Sequence, residues 1–256
     1  PLLGATRNHP DDILSDQETA ASRRANHLGD GVLYSNNILF VGSARWVGGI
    51  GDADPVPQLL AINTNLWTVM NCASLHADNT DQGGNLARYP YPAPGHTASG
   101  LAVQKLSTQH YLYLGSYTDG SNHYNGTLLA DRIAVYDAMT YMSERMTFIG
   151  WYQITDPDGL GGNNTNKIYK LQGLVFRDGM LFASTGSGLI YVLEPDHDNH
   201  ELKIVAYKST GANNCQGLDF AEGASYICLL RDTGSTPQGA ISKVYFISYE
   251  TETTTT

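Results

Sequence analysis

Two short stretches of the sequence carry side chains at spacings that could hold a metal ion. In "DPDGLGGNN", residues 156–164, Asp156 and Asp158 stand two positions apart, which is how a calcium-binding loop begins. In "HDNHE", residues 197–201, two imidazoles stand three positions apart. The first stretch lacks the closing Glu of a full calcium loop, and the second is typical of a solvated hairpin turn. Calcium at Asp156 and Asp158 is therefore the one cofactor to test, and no other is expected.

A larger set of aromatic and polar side chains suits the recognition of a polar ligand. Aromatic rings pack on the apolar faces of sugars, and Asp, His and Arg side chains hydrogen-bond to hydroxyl groups. Each of these aromatic residues could instead only pack its own loop. The candidate ligand-binding residues are Arg45, Trp46, Tyr89, Tyr91, His96, Tyr117, Asp119, His123, Tyr124, Arg231 and Asp232.

No short motif of a common catalytic or nucleotide-binding site occurs in the chain. The sequence contains no G-x-S-x-G, P-loop, H-E-x-x-H or C-x-x-C pattern. Its three cysteines, Cys72, Cys215 and Cys228, match neither a zinc spacing nor a disulfide framework. We therefore expect three reduced thiols.

The candidate residues lie between short apolar runs that repeat along the chain. Each repeat begins with a glycine that precedes an apolar run, and the four glycines are Gly31, Gly100, Gly173 and Gly217. Further short runs rich in Val, Ile, Tyr and Phe follow, separated by turn formers such as Asp-Gly. This pattern is typical of strands joined by hairpins. A short helix at residues 16–27 is the one exception.

Four repeats of a four-stranded antiparallel unit predict an all-β fold, namely a β-propeller of four four-stranded blades. The chain would form a single domain over residues 1–256, with repeat units at about 31–73, 100–154, 173–208 and 217–250. Glycine would open each innermost strand because the blades converge at the axis. The last unit lacks its outer strand, which a segment from one terminus would supply to close the ring. A fifth, irregular blade and a β-sandwich are the alternatives.

The lengths of the loops distinguish the two faces of such a propeller. If the strands of a blade are called a to d from the axis outward, the a–b and c–d turns lie on one face, which we call the short-turn face. The b–c loops and d–a connections lie on the other, the long-loop face. Binding sites are usually built on long loops of a rigid scaffold. The segments assigned to the long-loop face are 44–57, 74–99, 118–131, 155–172 and 231–242.

Two segments resemble known propeller families. "LQGLVFRDGMLFASTGS", residues 171–187, resembles the signature of glutamine cyclotransferases, which are propellers that cyclise N-terminal glutamine. Ala183 stands where that family usually has an acidic residue. "YLYLGSYTDGS", residues 111–121, is similar to a strand of the lactonase-type propellers. Both resemblances imply the propeller fold more directly than they imply an activity.

Composition limits the partners of the chain. The net charge is −10 with 15 basic residues in 256, which is a poor basis for holding a phosphate backbone, so no nucleic-acid partner is expected. No apolar run approaches the ~20 residues that span a bilayer. Asn125 and Asn163 begin N-x-T tripeptides and are candidate glycosylation sites. Few lysines, many tyrosines and these tripeptides indicate an extracellular or cell-surface location.

These observations favour a non-enzymatic, secreted or cell-surface propeller that binds a glycan or another extracellular ligand, such as an extracellular protein, through its long-loop face. One alternative is a propeller enzyme, a cyclotransferase, lactonase or hydrolase, with its centre at the mouth of the axial channel. The polar residues just ahead of the inner strands would gather there, and they are Asp30, His96, Gln172, Asn214 and Gln216. Another is a structural subunit that self-associates through the C-terminal tail "ETETTTT".

Overall fold

The computed structural model describes residues 27–44, 58–75, 98–116, 123–124, 127–160, 166–211, 215–220, 226–232 and 242–248. In these residues the chain forms β-strands and two short 3-10 turns, so the all-β prediction is confirmed. No helix in the described part of the chain is long and apolar enough to cross a membrane. The candidate helix at 16–27 lies outside the described residues except for His27, which begins the first strand.

Unit 1 is a four-stranded antiparallel sheet in which the strands lie in chain order. Alternating apolar residues and the short turn after Ser35 direct this arrangement. Its strands are β1 (His27–Ser35), β2 (Ile38–Ala44), β3 (Gln58–Asn63) and β4 (Thr68–Ser74).

Unit 2 repeats this arrangement, with a small hairpin inserted between its second and third strands. The hairpin pairs His123 with Leu128 and was not expected from the sequence. Two 3-10 turns, Leu129–Asp131 and Ala138–Thr140, flank the third strand. The strands are β5 (Ala98–Lys105), β6 (His110–Ser116), β7 (His123–Tyr124), β8 (Thr127–Leu128), β9 (Arg132–Asp137) and β10 (Phe148–Thr155).

Units 3 and 4 continue the repeat. The turn between the first two strands of unit 3 has positive φ at Asp178 (50°) and Gly179 (83°), the backbone that an Asp-Gly hairpin turn requires. In unit 4 three strands are described, and they lie in chain order. The strands of the two units are β11 (Leu171–Arg177), β12 (Met180–Thr185), β13 (Leu189–Asp196), β14 (Glu201–Ser209), β15 (Cys215–Phe220), β16 (Tyr226–Asp232) and β17 (Ser242–Ser248).

The outer strands of units 2 and 3 hydrogen-bond to each other, which the sequence did not predict. β10 and β14 run parallel, with Gln153 opposite Glu201 and Thr155 opposite Lys203. The two units thereby form one eight-stranded sheet, and its end strands, β5 and β11, also pack against each other. The result is a nearly closed, barrel-like sheet inside a propeller-like arrangement of units.

The first strand of each unit packs against the first strand of the next, from β1 to β5, β11 and β15. In every unit the ladder between the first two strands shifts register directly before the repeated glycine. Such a bulge adds a residue to one strand and turns its side chain out of the regular alternation. The glycine repeat in the sequence therefore marks a bulged inner strand.

Two of these glycines are required by close packing between units. A Cβ atom on Gly100 would lie 2.6 Å from Leu171 Cδ2 and 3.2 Å from the carbonyl carbon of Gly173. On Gly173 it would lie 2.8 Å from the backbone nitrogen of Leu218. The distances of 2.6 and 2.8 Å are shorter than real Cβ contacts, and 3.2 Å is tighter than most of them, as expected for converging strands. The expectation is wrong for Gly217, where an added Cβ would meet no described atom within 4 Å.

Apolar cores fill the spaces between neighbouring units. Phe40 and Leu59 of unit 1 pack with Leu112 of unit 2, and all three side chains are fully buried. A second core joins units 2 and 3, and a smaller one around Phe182 and Leu218 joins units 3 and 4. Burial of these side chains, each worth about 1.5–3 kcal/mol, stabilises the stacking of the units.

Neither Cys72 nor Cys215 takes part in a disulfide bond. Cys72 lies on the outer strand β4, as the sequence predicted, and Cys215 begins β15. Cys228 stands opposite Asp219, whereas a hairpin centred on residue 223 had placed it opposite Leu218. The hairpin is centred between residues 223 and 224, which moves the register by one residue. Burial raises the pKa of the Cys72 thiol to about 11.

Replacing Gly173 with Ala is expected to lower the free energy of unfolding by about 1–3 kcal/mol, because the new methyl group would collide with the backbone of β15. Urea denaturation measures the change. The matched control is Gly217→Ala at the same repeat position, where the change should stay within about 0.5 kcal/mol. Equal losses in the two variants would contradict the packing of β11 on β15.

Thiol titration in denaturant without reductant should find three free thiols. In the native protein at pH 8, iodoacetamide should modify Cys72 roughly a hundredfold more slowly than in the unfolded chain, because a pKa of about 11 leaves little thiolate. Mass spectrometry of alkylated peptides measures both quantities. A single free thiol would show that a disulfide had formed.

Candidate functional site

The first strands of three units meet at one carboxyl group, that of Asp30. Its Oδ1 accepts a hydrogen bond from the backbone N–H of Gly31 at 2.9 Å. Its Oδ2 accepts from the N–H of Leu101 at 3.3 Å and from that of Leu174 at 3.1 Å. One side chain of unit 1 thereby joins the inner strands of units 2 and 3.

The local structure explains why these atoms meet. Asp30 lies in the bulge of β1, between Leu28 and Gly31, where the ladder to β2 is interrupted. β5 and β11 are the end strands of their sheet, so alternate N–H groups on their free edges pair with no other strand of the described residues. The carboxylate of Asp30 supplies the acceptor that these edge N–H groups need.

The environment of Asp30 favours its neutral form. Burial raises the pKa of this carboxyl group to about 7, although the three backbone hydrogen bonds lower it. The negative charge of Asp219, on β15 of unit 4, raises the pKa further. Asp30 therefore titrates near neutral pH. Residues of all four inner strands affect its pKa, three through backbone hydrogen bonds and one through the charge of Asp219.

Of the residues predicted to cluster at the channel mouth, the structure describes the side chains of Asp30 and Gln172. Asp30 is central, and Gln172 lies partly exposed at the equivalent position of β11, directly before its glycine. The backbone of Gln216 lies in β15, and nothing is described of its side chain. His96 and Asn214 lie outside the described residues. The N–H groups of Leu101 and Leu174 were missed because a backbone donor has no residue-type signal, and only the repeated Gly-Leu step pointed to them.

Most of the predicted ligand-binding residues lie on segments that the structure does not describe. His123 and Tyr124 form β7, and Arg231 and Asp232 end β16, but only their backbones are described. Residues outside the described ranges are Arg45, Trp46, Tyr89, Tyr91, His96, Tyr117 and Asp119, together with the glycosylation candidates Asn125 and Asn163. These assignments stay predictions.

The two carboxylates proposed to bind calcium are engaged separately. Asp156 is buried, and its Oδ1 accepts a hydrogen bond from the N–H of Leu160 at 2.8 Å, which closes its own turn. Asp158 is exposed and lies 3.3 Å from the Nζ of Lys203. In the described ranges no group of three or more His, Cys, Asp or Glu residues is placed to hold a metal ion. Residues 161–165 of the same loop lie outside the described ranges, so calcium at Asp156 and Asp158 stays a prediction.

The turn of unit 3 at residues 197–200 is packed against unit 2, so the expectation of a solvated turn is wrong for His197. Its ring stacks on Tyr111 with centroids 3.8 Å apart. Its Nδ1 lies 3.0 Å from the hydroxyl of Tyr152, and its Nε2 lies 2.9 Å from Oε1 of Gln104. The sequence could not show this contact because the turn and its partners are about 40 to 90 residues apart.

Comparison with known proteins adds little beyond this description. No family model matches the sequence, and no curated protein matches it. Similar solved structures include a glutaminyl cyclase from Myxococcus xanthus (13% identity, TM-score 0.43), the allergen Mala s 1 from Malassezia sympodialis (10%, 0.46) and BamB from Moraxella catarrhalis (12%, 0.37). The matches cover 87%, 86% and 87% of this chain and 71%, 54% and 59% of those chains. Structural similarity with such low identities and TM-scores does not assign this chain to a family. The propeller-like description rests on the strand order of the units.

Proposed function

We propose that this protein binds a polar ligand, in the first place a glycan, on the long-loop face, with the carboxyl group of Asp30 at the centre of the site. The observation that supports this proposal is the position of Asp30 at the point shared by the inner strands. The inner strands begin on the long-loop face, because the d–a connections lie there. Asp30 and Leu101 lie in the first half of their strands, and Gly31 and Leu174 lie at the midpoint of theirs.

The chemistry of Asp30 suits a ligand with hydroxyl groups. A carboxylate has about four acceptor positions, and the described residues fill three of them, one on Oδ1 and two on Oδ2. With a pKa of about 7, the group can either accept a hydrogen bond at Oδ1 or donate one from it. A sugar hydroxyl is both donor and acceptor and matches either state. Anionic ligands are disfavoured by Asp30 and Asp219.

The remaining parts of the proposal concern the surroundings of this site. The loop aromatics would supply stacking surfaces, above all Trp46, Tyr89, Tyr91, Tyr117 and Tyr124. A secreted or cell-surface location, with glycosylation at Asn125 and Asn163, accords with the composition. An extracellular protein is the other ligand class, and self-association through the tail remains a separate hypothesis.

We also infer that four units surround the axis and that a terminal segment completes the fourth. Asp30 of unit 1 reaches Leu174 of unit 3 and is affected by the charge of Asp219 in unit 4. Such reach across the axis accords with a small ring. A fifth, irregular blade is the alternative, and a structure of the complex with both termini visible would decide between them.

Catalysis at the same position is the second candidate function. A carboxylic acid that titrates near pH 7 is suited to general acid–base chemistry, because both of its protonation states are available at working pH. A cyclotransferase, lactonase or hydrolase would use such a group at the channel mouth. A substrate panel run beside a glycan array separates the two functions.

Binding should weaken about tenfold, or by about 1.4 kcal/mol, in an Asp30→Asn variant, which keeps the shape of the side chain but loses the negative charge and the proton. A glycan array should first identify the ligand, and calorimetry should then compare the variants. Asp158→Asn is the control, because the exposed carboxylate of Asp158 pairs with Lys203 and not with the inner strands. Unchanged affinity in Asp30→Asn would place the site elsewhere, and turnover of a panel substrate that depends on Asp30 would favour the enzyme.

Asp30 should also make the free energy of unfolding depend on pH. Because its pKa is raised from 3.8 to about 7 on folding, its contribution is fully present below pH 3.8 and is lost as pH rises through 7. The loss has an upper limit on the order of 4 kcal/mol, and solvent screening of this partly exposed group reduces it. Urea denaturation of wild type and Asp30→Asn at pH 4.5 and 8 measures it. The variant should gain stability relative to wild type at pH 8, and a constant difference would contradict the raised pKa.

A further inference from the structure

The side chain of Ser184 carries a hydroxyl group that is fully buried. Ser184 lies on β12 of unit 3, opposite Gly173 in the antiparallel ladder with β11. Its Oγ is inaccessible to solvent and forms no hydrogen bond within the described part of the chain. Buried polar atoms of side chains are almost always hydrogen-bonded, either to protein atoms or to an ordered water. This hydroxyl group therefore needs a partner that the described residues do not supply.

The Oγ of Ser184 points at the contact between the inner strands of units 3 and 4. A Cβ atom added to Gly173 would lie 3.0 Å from this oxygen and 2.8 Å from the backbone nitrogen of Leu218. No direct hydrogen bond joins the hydroxyl group to Leu218. Because both atoms lie within 3.0 Å of one point, a single water molecule can contact both of them.

The N–H group of Leu218 occupies the repeat position whose N–H groups bind Asp30 in units 2 and 3. Leu218 follows the repeated glycine of its unit, as Leu101 and Leu174 do, and β15 is an end strand of its sheet, as β5 and β11 are. The described backbone hydrogen bonds of Asp30 come from Gly31, Leu101 and Leu174. Unit 4 thus presents the same edge donor without the carboxylate that serves the other two units.

The surroundings of these two groups are polar and are not filled by the described residues. At Gly217, whose carbonyl carbon lies 3.1 Å from the Cβ position of Gly173, an added Cβ would meet no described atom within 4 Å. Ser184 is also the polar member of its repeat position, since the residues opposite the other three glycines are Val41, Gly115 and Leu230. Buried water occupies sites that combine polar groups with room for one molecule.

We propose that Ser184 and the backbone of Leu218 hold an ordered water molecule between units 3 and 4. The N–H of Leu218 donates to the water oxygen, and the hydroxyl of Ser184 forms a second hydrogen bond with the same water, as donor or acceptor. The water gives the inner strand of unit 4 the acceptor that Asp30 gives to units 2 and 3. This inference does not depend on the proposed ligand.

A high-resolution crystal structure of the protein without ligand tests the site directly. The expected result is one ordered water within about 2.7–3.2 Å of both Ser184 Oγ and Leu218 N. A water on only one of the two atoms, a side chain in its place, or a dry contact between the strands would overturn the proposal.

Replacing Ser184 with Ala separates a hydrated hydroxyl group from an unpartnered one. If the water is bound, the variant loses a hydrogen bond, and the equilibrium constant for folding should fall about fivefold. If the hydroxyl group has no partner, its removal relieves a desolvation cost, and the constant should stay unchanged or rise. Urea denaturation measures the constant, and an unchanged or higher value would refute the bound water.

Nuclear magnetic resonance supplies a measurement that a loss of packing would not change. In the wild type, the amide proton of Leu218 should show a nuclear Overhauser effect to a long-lived water, and Ser184→Ala should weaken it. The matched control is Ser187→Ala, because the exposed Ser187 hydroxyl lies 2.9 Å from Thr185 Oγ1 and not at the inner strands. This control should leave the signal of Leu218 intact. An equal signal in wild type and Ser184→Ala would show that Ser184 does not hold the water.

Discussion

The hydrogen bonds from two inner strands to Asp30 are the constraint on which the centre of this structure depends. β5 and β11 end their sheet, so the N–H groups of Leu101 and Leu174 face the axis without a partner strand. An unsatisfied buried N–H costs about 1–3 kcal/mol, and one carboxyl group removes that cost at two strands at once. The carboxyl group must itself leave water, which raises its pKa to about 7. The interaction that joins the units therefore also creates a group that titrates at neutral pH.

Close approach of the inner strands is the condition for that interaction. Asp30 can reach units 2 and 3 because Gly100 and Gly173 carry no side chains that would hold neighbouring strands apart. The bulge before each glycine interrupts the ladder to the second strand and frees the preceding residue from the regular alternation. Apolar side chains such as Leu171 and Leu174 then fill the space between units 2 and 3. Their packing fixes the distance between the inner strands to which Asp30 hydrogen-bonds.

Units 2 and 3 are held together at two ends by interactions of different chemistry. Glycine packing and a carboxyl group join them at the inner strands, and elsewhere the short β10–β14 ladder and the hydrogen bonds of His197 to Tyr152 and Gln104 do so. Protonation favours the folded state at Asp30 and opposes it at His197, because burial disfavours the charged form of each. Between them lies a core of fully buried side chains that includes Tyr113 and Leu193. A displacement at one end of this core can reach the other end only if the side chains between them repack.

Local sequence patterns were enough to predict the main strands of each unit and their order, although not the small β7–β8 hairpin of unit 2. Strands β3 (Gln58–Asn63) and β9 (Arg132–Asp137) each coincide with a short apolar run in the sequence, because side-chain alternation and turn formers act between residues close in the chain. The repeated glycines located the inner strands for the same reason. The loop residues proposed to bind a ligand are mostly outside the described ranges, so the sequence remains the basis for that part of the site.

Only the tertiary structure decided which atoms meet between the units. The acceptor for Leu174 N–H is 144 residues away along the chain, and Gln104 lies 93 residues from His197. Neither contact can be predicted from the local sequence pattern. The distance between the two partners depends on how separate units twist and pack. The parallel pairing of β10 with β14 was unforeseen on the same ground, and so was the absence of any described atom within 4 Å of a Cβ at Gly217. Local side-chain patterns specify a strand, whereas the volume and shape of the cores specify where one strand stands against another.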